Sequence, residues 1–141
     1  MTKRIIFQND EGGVSIIIPA QGSTLEQLLA VVPANTNYEI VDVTDIPSDR
    51  TFRNAWFHDT SEEPQKIGVH LDRAKSIAHE HRREKRRIEM APLDLEVTIP
   101  SKAKQAEEDR QKIRDKYATI QAAIDNAASA DEIKIALGSM E

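Results

Sequence analysis

Ala103, Ala106, Arg110, Ile113, Tyr117, Ile120, Ile124 and Ala127 recur at alternating steps of three and four residues. A repeat of that kind, sustained from Ser101 to about Ala128, predicts a long helix packed along its length against another helix. Leu71, Ala74, Ala78, His81, Lys85 and Ile88 follow the same rule one helix earlier, from Leu71 to about Met90, with Pro92 just past the end. Two helices of similar length with a short connection are most simply an antiparallel hairpin. Leu93 to Ile99 reads either as more helix or as an extended run into Pro100. A short last helix is expected after Ser129, which with Glu132 forms a capping box, and Gly138 closes it. In this hairpin Leu71 and Ile124 meet far from the connection, while His81, Lys85 and Arg110 fall together near it. Cationic groups on facing seams repel unless paired. Either Glu84 and Glu107 satisfy them as a polar layer that fixes register, or an external anion does, or the seams face another subunit and these side chains reach outward; on the second reading His81, Lys85 and Arg110 are a candidate anion-binding layer.

The first 58 residues read differently. Lys3 to Gln8 and Val14 to Ile18 are apolar runs flanking Asn9-Asp10-Glu11-Gly12-Gly13, a hairpin signal. Ser23 to Val32 reads as a short helix with Ser23 and Glu26 as a capping box, stopped by Pro33. Tyr38 to Val43 alternates as a third strand, and Thr51 to Trp56 is expected to form one or two helical turns. The expected fold is α+β: a small antiparallel β-rich module over 1–58, a linker or short strand over 59–70, and a helical hairpin with a terminal helix over 71–137.

Asp49 to Phe57 concentrates the scarce aromatics, holding the one Trp and two of the three Phe of the chain beside two arginines. Arg50, Phe52, Arg53, Asn54 and Trp56 offer guanidinium forks, a carboxamide and ring faces, a set suited to holding a nucleobase and a phosphate or a partner protein. The other reading makes Trp56 and Phe52 the core of the module, which at this size depends on every large ring it buries. The two readings are compatible, because a core anchor can display its neighbours to a ligand.

Composition narrows the chemistry. Without cysteine there is no disulfide framework and no thiolate, which makes a cytoplasmic setting the expectation. The apolar run after Met1 is too short for a signal peptide or a membrane span. No phosphate-binding glycine loop, nucleophile elbow or metal-ligand spacing is present, so the chain is expected to be neither an enzyme nor a holder of metal or cofactor. Residues 1–58 and 93–141 are each acidic on balance, whereas His79 to Arg87 is strongly basic. The net charge of −5 opposes an extended polyanion and favours neutralisation of that block by acidic helices.

Arg-Ile-Ile-Phe-Gln-Asn-Asp-Glu-Gly-Gly-Val-Ser-Ile-Ile-Ile-Pro-Ala, Tyr-Glu-Ile-Val-Asp and Ile-Pro-Ser-Asp-Arg-Thr-Phe-Arg-Asn-Ala-Trp, all within residues 4–57, resemble a family of small tailed-bacteriophage and prophage proteins, often encoded near tail-fibre genes. The likeness is looser over 69–137, through Val69 to His79, Arg110-Gln-Lys-Ile-Arg-Asp and Ala-Asp-Glu-Ile-Lys. It implies a phage protein in the host bacterial cytoplasm or associated with the virion, and supplies no catalytic residues. Two functions fit: a homo-oligomeric tail-associated adaptor or assembly chaperone gripping a phage tail protein, or a counter-defence protein that sequesters a nucleotide or blocks a host defence protein.

Overall fold

Asn9 organises the first turn: its Oδ1 accepts from the backbone N–H groups of Glu11 and Gly13, at 3.1 and 3.0 Å, while Gly12 takes the positive φ of 81° that the reversal demands. In the computed structural model, which describes residues 2–61 and 66–140, this turn joins β1 (Lys3–Gln8) to β2 (Val14–Ile17). Strand β3 (Tyr38–Asp42) pairs with the other edge of β1, giving an antiparallel sheet of order β2-β1-β3. The helix between β2 and β3 is shorter than expected. It runs Leu25–Leu29 (α1), and its N-cap is Thr24 rather than Ser23, with the Gln27 side chain closing a capping box. Thr24 wins because its hydroxyl reaches the Gln27 amide while the Gln27 carboxamide returns to the Thr24 amide.

A second sheet was only half foreseen. The segment expected to coil through Trp56 makes a single 3₁₀ turn over Arg53–Ala55, and Trp56 then opens β4 (Trp56–His58). Strand β4 pairs antiparallel with β5 (Ile67–Val69). Residues 62–65 of the expected linker lie outside the described residues. Phe57 sits opposite Gly68, and a Cβ on that glycine would come 2.4 Å from the ring tip, so the absent side chain makes room for the aromatic. Ile6, Val14 and Val41 from the first sheet form one buried cluster with Trp56 and Ile67 from the second. Trp56 is therefore the piece that ties the two sheets into one core.

The chain divides into two units, Met1–His70 and Leu71–Glu141. The second contains α2 (Leu71–Glu96), α3 (Ala103–Asp125) and α4 (Ala130–Gly138). Helices α2 and α3 form the antiparallel hairpin. Passing down α2 from His79 to Glu89 to Asp94, the ion-pair partners climb α3 from Asp125 to Lys116 to Arg110. Helix α4 packs on both, contributing buried Ile133 and Ala136. Its cap uses Ser129 Oγ, which accepts from the Glu132 amide, while the Glu132 carboxylate turns to the amide of Ala128.

The ambiguity after Pro92 resolves as helix, because α2 continues through the proline to Glu96. Proline in a helix interior removes one backbone hydrogen bond and costs about 3 kcal/mol. Contacts beyond it oppose that loss: Asp94 pairs with Arg110 at 3.0 Å, and the Val97 amide donates to the Leu93 carbonyl at 2.9 Å.

Candidate functional site

The nonapeptide folds inward. Asp49 Oδ1 accepts from both the amide and the hydroxyl of Thr51, at 3.0 and 2.6 Å, which starts the turn that carries the chain to Phe52. Phe52 and Trp56 are both buried, the indole at 1% exposure. The Arg53 guanidinium carbon lies 4.8 Å from the centre of the indole and that of Arg50 lies 5.9 Å from it. Arg53 also donates from Nη2 to the Val14 carbonyl at 2.9 Å, tying the turn to the edge of β2. Burial, and then the charge of Arg50, lowers the pKa of Arg53. Asn54 and Arg50 are exposed beside this anchor. The geometry brings Arg50, Arg53 and Trp56 together, but no indole face is open for a base to stack on. Sequence alone could not separate an outward ring from an inward one.

Glu39 on β3 reaches His58 of β4 and Lys66, the residue just before β5. Its carboxylate lies 3.3 Å from Nε2 of the buried His58 and 2.8 Å from the Lys66 ammonium. The Lys66 hydrogen bond foremost, with His58 also contributing, holds the Glu39 carboxyl below its ordinary range against the opposing effect of burial.

In the helical unit the expected anion layer does not assemble. His81, Lys85 and Ile88 are exposed, whereas Ala74, Ala78, Arg82 and Met90 are the buried positions of α2. Counting a strict heptad from Leu71 drifts off the true face, because a straight helix turns every 3.6 residues, about 20° per heptad from a 3.5 repeat. Continuation through Pro92 also sets the register differently. Arg110 meets Asp94, about 20 Å along α2 from His81 at 1.5 Å per residue. Arg110 is further held by Glu107 at 2.9 Å, which also takes Arg114 at 2.9 Å.

Part of the basic block is neutralised within the chain. Arg82 donates from Nε to His79 Nδ1 at 3.2 Å, which leaves the proton on Nε2 to face Asp125 Oδ1 at 2.8 Å. Lys75 donates to the Asp125 carbonyl at 2.9 Å, so two basic residues of α2 meet the negative end of α3. The Tyr117 hydroxyl is buried beside the Glu89 carboxylate, and burial, followed by that carboxylate, pushes its pKa up to about 12.

What α2 leaves uncovered is a stripe on its outer side. Ile88 and Leu95, two turns apart, are 55% and 69% exposed, Pro92 lies between them, and Ile99 follows at 38%. Beside this stripe a shallow, open groove of about 440 Å³ runs along the hairpin, apolar at Pro92, Leu93 and Ile113 and rimmed by Glu89, Asp109, Lys112 and Lys116. His81, Lys85 and Ile88, assigned to the seam by their spacing, are thus its outer neighbours, whereas Ala74 and Ala78 lie within it. Among the described residues no cluster of His, Asp or Glu is placed to hold a metal ion, and no helix is long and apolar enough to cross a membrane. No family model, curated protein or solved structure matches this chain.

Proposed function

We propose that this chain is a non-enzymatic bacteriophage protein that acts by protein–protein contact, as a tail-associated adaptor or assembly chaperone, gripping its partner with the connected end of the helical hairpin. The observation that carries the reading is the exposed stripe of Ile88, Pro92 and Leu95 beside the apolar-floored groove. Contiguous exposed apolar surface of this kind favours a partner, and a hairpin with its own internal ion pairs presents it on a stiff support. The inward indole weakens the alternative in which Arg50, Arg53 and Trp56 stack a nucleotide. A second reading, blockade of a host defence protein, uses the same surface and differs only in the partner.

The test is quantitative co-purification from infected cells, comparing the wild-type chain with Leu95→Asp after circular dichroism has established equal helix content. A phage structural protein enriched with the wild type and lost with the variant is the expected result. Loss of a host defence protein instead would transfer the assignment to counter-defence. Identical partner sets for the two chains would overturn the role given to the hairpin end.

A further inference from the structure

On the other side of the α2·α3 seam from the apolar groove lies a polar cleft of about 280 Å³. Arg83, Arg86 and Arg87 of α2 face Arg110 and Arg114 of α3 across it, with Asp94 at one end and buried Met90 as its apolar floor. On α2 the spacing follows from helix geometry: positions 83, 86, 87, 90 and 94 share one face. We infer that this arginine cleft is a binding site for a compact oligophosphate group, free or carried by a nucleotide.

The internal charge balance leaves the cleft cationic. Arg87 is matched by Glu84 at 2.6 Å, Arg110 by Asp94 and Glu107, and Arg114 by the same Glu107. Among the described residues Arg83 and Arg86 make no ion pair or side-chain hydrogen bond. Five guanidinium groups thus meet three carboxylates, one of them shared. Crowding registers on the neighbouring Arg82, whose pKa is lowered by burial first and then by the charge of Arg83.

Phosphate suits this arrangement better than a carboxylate. A phosphate group presents three acceptor oxygens and more than one negative charge, so it can bridge guanidinium forks on both helices, whereas a carboxylate saturates one fork. The open cleft, about 280 Å³, has room for two or three linked phosphates and not for a duplex. The acidic balance of the rest of the chain disfavours extended nucleic acid as well. This site stands apart from the apolar groove and does not depend on the partner assigned to it.

Titration calorimetry at constant ionic strength tests the inference, with sodium tripolyphosphate and ADP as probes and a hexaglutamate peptide as the carboxylate comparison. Tripolyphosphate, ADP or both should bind at one site, and the peptide at least tenfold more weakly. Tighter binding of ADP identifies a nucleotide as the source, and tighter binding of tripolyphosphate identifies the free anion. Arg83→Gln with Arg86→Gln, at exposed positions, should weaken phosphate binding tenfold or more, while Lys85→Gln, on the outer side of α2, leaves it within twofold. Absence of heat with both phosphates, equal or tighter binding of the peptide, or equal losses from the arginine pair and from Lys85→Gln would each overturn the assignment.

Discussion

The β-rich unit and the helical unit solve the problem of a small core in opposite ways. Residues 2–61 and 66–70 bury a few large side chains, with Trp56 and Ile67 from one sheet meeting Ile6, Val14 and Val41 from the other. The helical unit mixes five alanines, Ala74, Ala78, Ala106, Ala127 and Ala136, with larger side chains, Met90, Tyr117, Ile120, Ile124, Ile133 and Met140. Alanine lets helices approach closely but removes little apolar area from water per residue, so the hairpin relies on its length and on the larger Tyr117, Ile120 and Ile124, while the partly exposed cross-pairs between α2 and α3 add little. The difference has a consequence for function. The β-rich unit turns its largest ring inward, while the hairpin, covered by α4 on part of its length, leaves toward its connected end one apolar flank and one lined by arginine.

Three measurements can break or sharpen that contrast, and the largest effect belongs to the indole. Trp56→Ala should cost the β-rich unit about 3–5 kcal/mol. Hydrogen exchange should then show β1 and β3 losing protection while α3 keeps its own, whereas uniform loss across both units would mean that they share one cooperative core. Next comes the proline. Pro92→Ala should stabilise the helical unit by about 2–3 kcal/mol, read from urea unfolding followed at 222 nm. An unchanged midpoint would show that the helix beyond Pro92 adds nothing to the hairpin.

The smallest effect is the pH response of Glu39. Its folded-state pKa lies below 4.5 because of Lys66 foremost and His58 as well, so its contribution is fully present above about 4.5 and disappears as pH falls through the lower folded value. With a side chain one-third exposed, that contribution is under about 1 kcal/mol. The gap in stability between the wild type and Glu39→Gln, followed by the fluorescence of Trp56, should be widest near about pH 6 and close on acidification. A gap that grows toward low pH would contradict the sign.

The two units were also unequally legible. On α3 the heptad positions Ala106, Tyr117, Ile120, Ile124 and Ala127 are the buried ones, because a long amphipathic helix repeats its signal at every turn. On α2 the same rule holds at Ala74 and Ala78, then slips onto His81, Lys85 and Ile88, which are exposed. The seam there includes Arg82, which periodicity of apolar residues cannot find. Reading the basic block by helical face would have grouped Arg83, Arg86 and Arg87 with Asp94, but only if the helix was carried past Pro92. In the β-rich unit the hairpin turn was legible from Asn9 and Gly12. Strand β4 was not, since its three residues pair with β5 across a gap in sequence and carry no period of their own.

Cross-linking mass spectrometry on the complex purified from infected cells tests the central claim most directly, because lysines mark both units. Links from the partner should concentrate on Lys102, Lys104 and Lys112 near the connected end of the hairpin, and spare Lys3 and Lys66 of the β-rich unit. Links confined to Lys3 and Lys66 would contradict the account, because the partner would then be held by the sheets rather than by the helices.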